Sequence, residues 1–145
     1  MYKHVLLPTD GSELSAKAVR DGIQLAKEIG ARVTAVHVTP PFYPSEMSPS
    51  ALTAHAQDHE AQSRQSAKRA LGAVEEAARA AGVPCTTLHR VSDGPFEEII
   101  QVATESGCDL IFMASHGRRG ISALIHPSET QGVLTHSTIP ALVYR

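Results

Sequence analysis

Short runs of aliphatic and β-branched residues alternate along this chain with longer segments whose apolar residues recur every three or four positions. That is the pattern of strands alternating with helices. The first run, Val5-Leu6-Leu7, gives way to the turn residues Pro8-Thr9-Asp10-Gly11-Ser12. Leu14, Ala18, Gly22, Leu25 and Ile29 then mark one face of a helix that Gly30 stops. Val33 to Val38 reads as a second strand, continuously apolar as when helices cover both faces of a parallel sheet. Pro40, Pro41, Pro44 and Pro49 predict a loop, because proline fits neither a helix interior nor a central strand.

A long Ala-rich helix follows from about Ser50 to Ala81. Its second half carries a stripe at Ala67, Ala70, Leu71, Val74, Ala77 and Ala81, and its first half carries none. Only the C-terminal half is therefore expected to dock on the sheet, with the other half left to solvent or a partner. Gly82-Val83-Pro84 ends that helix, and Thr86 to Val91 predicts a third strand. Ser92-Asp93-Gly94-Pro95 is a turn with proline at the first helical position, and Phe96, Ile99, Ile100 and Ala103 face inward on the helix that runs to Gly107. Leu110 to Ala114 is the most hydrophobic run and the expected central strand. A short helix beginning around Pro127-Ser128 and a strand at Ala141 to Tyr144 close the chain. Five strands with intervening helices predict one α/β domain over residues 1–145, an open, parallel, doubly wound sheet with right-handed crossovers.

Charge and composition narrow the chemistry. Thirteen Lys and Arg against fifteen Asp and Glu give a net charge of -2, without the basic surface that grips a nucleic-acid backbone. No apolar run approaches the roughly 20 residues that span a bilayer, and MYKHVLL has no long apolar stretch of a leader. Cys85 and Cys108 match neither a zinc spacing nor a C-x-x-C redox pair. The expected address is the cytoplasm, with neither nucleic acid nor membrane as a partner.

In open α/β sheets ligands bind beyond the carboxyl ends of the strands, where the strand order reverses. Three segments fall there: Pro8-Thr9-Asp10, Val38-Thr39, and Ser115-His116-Gly117-Arg118-Arg119-Gly120. The third is glycine-punctuated, so its amides could form an anion nest, and its two arginines suit phosphate. Ser128 and the amides opening the last helix could complete a cradle. Neither the Walker A pattern nor G-x-G-x-x-G is present.

Taken in order, HVLLPTDGS, AVHV, GPFEEI, LIFMASHGRRG and IPALVYR span essentially the whole chain, and with them it resembles the universal stress protein family. The resemblance implies a Rossmann-like nucleotide-binding sheet of strand order 3-2-1-4-5 and a homodimer joined through the last strand. It also implies an adenine nucleotide, ATP or AMP, with a Mg ion accompanying ATP. The family's ATP-binding members carry Gly-x2-Gly-x9-Gly followed by Ser or Thr, and here the pattern falls on Ala114, Gly117, Pro127 and Ser128. The implied site comprises Pro8, Thr9, Asp10, Val38, Ala114, Ser115, His116, Gly117, Arg118, Arg119, Gly120, Pro127, Ser128, Glu129 and Thr130. Asp10 would lie near the ribose, or else cap the first helix, and Val38 would offer backbone groups to adenine. Ala114 can still donate its amide. Pro127 has no N–H, and one lost charge-assisted donor weakens binding by about ten- to a hundredfold. Alternatively Pro127 is simply a good first helical residue, with Ser128 still offering its amide and hydroxyl.

Other constellations are weaker. His55 and His59 share a helix face but lack a third ligand, so a solvated face is the plainer reading than a metal site. His37, inside an apolar strand, reads as a satisfied buried histidine. No G-x-S-x-G elbow supports a hydrolase triad. The leading expectation is a regulatory nucleotide-binding dimer that acts on a regulatory protein partner. Two alternatives stand beside it: an adaptor without nucleotide, working through the polar helix around His55 to Gln65, and a slow ATPase.

Overall fold

The computed structural model describes residues 1–44, 48–115 and 127–145. Its elements follow in the order β1 (His4–Pro8), α1 (Glu13–Ile29), β2 (Arg32–Thr39), α2 (Pro49–Ala81), β3 (Cys85–Val91), α3 (Pro95–Ser106), β4 (Leu110–Ala114), α4 (Pro127–His136) and β5 (Ala141–Tyr144). The strands form one parallel sheet in the order β3-β2-β1-β4-β5. The fold class and strand order are those expected. The helix stops at Gly30, Gly82 and Gly107 are also found, each in the left-handed conformation.

One expectation is corrected. The central strand is β1, and the more hydrophobic β4 stands beside it, between β1 and β5. Hydrophobicity does not separate the two, because both are buried along their whole length. A strand one place from the middle of a doubly covered sheet is as dry as the middle one.

Alternate residues of each strand feed two cores. Val5, Leu7, Val33 and Ala35 pack against Ala18, Ile23, Ala67, Leu71 and Val74 of α1 and α2. Leu6, Val36, Ile111 and Met113 pack against Ile99, Val102 and Ala103 of α3 and Val133 of α4. The buried face of α1 runs through Ser15, Ala18, Val19, Gly22, Ile23 and Ala26, so it is turned about one residue from the expected stripe and leaves Ile29 exposed. Likewise Ala78 of α2 and Val102 of α3 are buried, where Ala77, Ala81 and Ile100 are only partly so. In α2 every buried residue lies from Ala67 onward, and the first half of the helix stays clear of the core, as expected.

Candidate functional site

The chain reverses direction across the sheet at β1, with β2 on one side and β4 on the other. The C-terminal end of β1 is therefore the switch point. The turn after it, Thr9 to Ser12, is held by several bonds at once. Thr9 N donates to Val36 O at 2.9 Å, and Gly11 N and Ser15 Oγ both donate to Thr9 Oγ1, at 3.2 and 2.8 Å. Asp10 Oδ1 accepts from Ser12 N at 2.8 Å, and Asp10 N donates to Ser15 Oγ at 3.3 Å. Gly11 has φ of 80°, which an L side chain would resist. Ser12, not Asp10, is the N-cap of α1, its hydroxyl accepting from Ser15 N. The capping alternative for Asp10 is thus taken by its neighbour, and the carboxylate stands at the head of the turn.

Val38 owes its place to strand length. The ladder between β1 and β2 ends at Pro8 opposite Val36, closed by the bond from Thr9 N to Val36 O. In a parallel pair the N–H and C=O of one residue point to the same neighbour, and the direction alternates along the strand. Thr39 O accepts from Ser92 N on the β3 side, so Val38 faces the other way, as Val36 does, into the space beyond the end of β1. Pro8, Thr9, Asp10, Val36, Val38, Pro95 and Ile99 line a crevice of about 30 Å³ there. A larger groove of about 550 Å³ between α1 and α2 shares Thr9 and Asp10 on its wall.

From the other side come β4 and α4. Ala114 ends β4, buried, and Ser115 N donates to Tyr144 O at 2.7 Å. His116, Gly117, Arg118, Arg119 and Gly120 lie outside the described residues. α4 does begin at Pro127, so the missing proline N–H is one of the helix's orphan donors in any case. Ser128 is exposed, and the Thr130 hydroxyl is buried without a hydrogen-bond partner among the described residues. An orphaned hydroxyl in the first turn of α4 fits a group that accepts or donates there.

Residues 1–145 match the universal stress protein family, and the chain is 30% identical to a universal stress protein of Methanocaldococcus jannaschii over 100% of its own length and 83% of the relative's. The chain belongs to that family. Among solved structures a second Methanocaldococcus jannaschii universal stress protein superposes with a TM-score of 0.78 at 26% identity, covering 99% of this chain and 95% of that one. A universal stress protein solved with cAMP has a TM-score of 0.68 at 21% identity, covering 99% and 97%. One from Archaeoglobus fulgidus solved with dAMP has 0.64 at 16%, covering 100% and 98%. At these last two identities the likeness is one of fold.

This universal stress protein therefore brings Pro8, Thr9, Asp10 and Val38 together at one crevice. The Glu129 side chain turns to α3: Oε2 accepts from Phe96 N at 2.7 Å, so this carboxylate serves the N-terminus of that helix. The signal lay in Gly94, an N-cap with no side chain to offer. His37 is the satisfied core histidine that its place in an apolar strand predicts: it is fully buried, with Nδ1 donating to Thr9 O at 2.8 Å. Its position directly under the site turn was not legible in sequence. His59 donates from Nε2 to Pro40 O at 2.9 Å and lies against the Phe42 ring. No group of three or more metal-ligating side chains occurs among the described residues, and no described helix is long and apolar enough to cross a membrane.

Proposed function

We propose that this universal stress protein is a cytoplasmic regulatory protein that binds an adenine nucleotide across the crevice at the end of β1. The observation that carries the reading is that β1 ends opposite Val36, so β2 runs three residues beyond it, to Thr39. The Val38 peptide groups then project beside Asp10, where an adenine edge needs one donor and one acceptor. The crevice itself has room for a water or two, so base and ribose would lie across its rim. Asp10 would accept from the ribose hydroxyls. The Ser128 and Glu129 amides and the Ser128 hydroxyl at the start of α4 would meet phosphate, favoured by the helix dipole. With ATP bound, a Mg ion would neutralise the phosphates, and this chain's own part would be to hold and orient the nucleotide. The solved relatives with cAMP and dAMP support the choice of adenine.

Binding is regulatory in this reading, because the described crevice contains an acceptor and amide donors but no histidine or second carboxylate poised as a base. The signal would reach a second copy or a regulatory protein. β5 is an edge strand of four residues with Leu142 exposed at 40%, and such an edge invites pairing with its symmetry mate. Calorimetric titration with ATP, AMP and cAMP tests the reading. Binding of at least one is expected, and the absence of heat at high protein concentration overturns it. Light scattering tests the pairing: a dimer is expected at micromolar concentration, dissociated by Leu142→Lys, and a monomer overturns it.

A further inference from the structure

His37 is fully buried, yet it belongs to neither hydrophobic core by chemistry. Its ring meets the β1–α1 turn and α2, and the His89 ring of β3 lies beside it with centroids 6.2 Å apart. His37 stands on β2. Its Nδ1 donates to the carbonyl of Thr9, the residue that opens the β1–α1 turn, at 2.8 Å. Because a carbonyl can only accept, this contact fixes the proton on Nδ1, and in the neutral ring Nε2 is left as an acceptor. Nε2 faces the hydroxyl of Ser66 on α2 at 3.4 Å.

The position of Ser66 matters. It precedes Ala67, the first buried residue of α2, so it marks the boundary between the docked half of the helix and the exposed half. On the other side of the ring, Thr9 is bonded to Val36, Gly11 and Ser15, so a shift of its carbonyl moves the turn that carries Asp10. Apolar packing alone would hold these elements together, but it is non-directional. A buried ring with one donor and one acceptor imposes a direction at both ends and costs a desolvation penalty whenever either partner leaves.

We infer that His37 is a positioning residue that joins the Asp10 turn to the boundary of α2, so that what occupies the crevice and how the exposed half of α2 behaves are linked through one imidazole. The inference deepens the nucleotide-site reading and rests on it for the identity of the occupant. The link itself is a property of the chain without ligand. Occupancy that draws the Asp10 turn toward the nucleotide pulls on the Thr9 carbonyl, the ring follows, and the Ser66 hydroxyl gains or loses its acceptor.

The experiment uses the whole chain and three variants. His37→Asn keeps an amide donor near the place of Nδ1 and loses the reach to Ser66. His37→Leu keeps apolar volume and loses both contacts. Ser66→Ala removes the hydroxyl alone. Without nucleotide, ring-nitrogen NMR of the wild-type chain should show a proton on Nδ1 of His37. Amide exchange at Gly11 and Ser12 should rise about tenfold in His37→Leu and stay near wild type in His37→Asn. With AMP added, exchange in residues 50–65 should change in the wild type and stay flat in Ser66→Ala, whose affinity for AMP remains within about twofold.

An Nε2–H tautomer, or turn exchange unmoved in a cooperatively folded His37→Leu, overturns the inference whether or not the nucleotide binds. A response of residues 50–65 to AMP that survives Ser66→Ala overturns it as well. Wild-type protein that gives no heat with any adenine nucleotide overturns the nucleotide reading, and the ligand-free measurements still decide the link. Should His37→Leu fail to fold, His37→Asn and Ser66→Ala carry the comparison.

Discussion

Glu129 of α4 caps a helix that is not its own: its Oε2 accepts from Phe96 N, in the first turn of α3, at 2.7 Å. α3 begins after Gly94, which supplies no side-chain acceptor, and its first turn holds only its own acidic residues, Glu97 and Glu98. A carboxylate arriving from α4 satisfies an orphan N–H and meets the positive end of the α3 dipole. It also locks the two helices on that face of the sheet to each other. Replacing Glu129 with Ala should cost about 1–2 kcal/mol in urea unfolding, with Gln recovering part of the loss. A change below a few tenths of a kcal/mol in Glu129→Ala would show that the bond contributes nothing.

Phe96 is held from a second direction. A Cβ added at Gly132 of α4 would collide with the Phe96 ring, which also stacks on His136 with ring centroids 5.2 Å apart. Glycine is required at position 132 by close approach rather than by backbone conformation. Gly132→Ala should destabilise the fold by about 1–3 kcal/mol despite the better helix propensity of alanine. The double variant with Phe96→Leu should recover part of that loss, and additive losses would place the strain elsewhere.

At the opposite end of the sheet, His4 is buried with Nε2 2.7 Å from Thr34 Oγ1. Burial first, then the nearby Arg32 charge, push its pKa below the usual 6.5. The unfolded chain then binds the proton more readily than the folded one. The stability His4 contributes is present above about pH 6.5 and is lost as the pH falls from there toward the lowered folded value. His89 is lowered in the same direction, by burial and by His37, and adds to the trend. Thermal unfolding midpoints should drop between about pH 7.5 and 5.5, and His4→Gln should flatten that drop. An unchanged slope in His4→Gln assigns the pH dependence to other groups.

Two substitutions separate the ribose end of the proposed site from the phosphate end. Asp10→Ala should weaken AMP and ATP alike by about tenfold, because both share the ribose. Pro127→Gly adds a backbone N–H at the first position of α4 and should tighten ATP more than AMP. Equal affinities for ATP before and after Pro127→Gly would place the phosphates away from this helix.

Cys108 should be inert. It is 6% exposed, and burial, opposed in part by the Thr34 hydroxyl, pushes its thiol up to about 11. At pH 8 about one molecule in a thousand carries the thiolate. Alkylation of the folded chain should fall on Cys85, which is only partly buried, with Cys108 reacting on unfolding. Equal rates in the folded state would mean that the β4 end of the sheet opens.

The alternation of apolar runs and periodic segments in this sequence determined the nine elements, their order and their glycine stops, since these depend on neighbours three or four residues away. That Asp10 and Val38 follow the ends of neighbouring strands was also legible, because the turn after a strand has one place to go in a parallel sheet. What the tertiary structure decided depends on partners far along the chain. Whether β1 or β4 takes the middle of the sheet is a matter of long-range pairing, and two equally buried strands carry the same hydrophobic signature. Apolar spacing gave α1 a stripe, but packing on the sheet turned it by about a residue, and Ser15 could be buried because its hydroxyl reaches Thr9. The Glu129 carboxylate has no evident partner in the sequence, and α3, some thirty residues earlier, supplies one in the uncapped amide of Phe96. His37 reads in the sequence as a satisfied buried histidine, and only the fold names its partners, Thr9 on one side of its ring and Ser66 on the other. A hydrogen-bonding side chain declares its chemistry in the sequence, but its partner is chosen only when distant elements are brought within hydrogen-bonding distance of it.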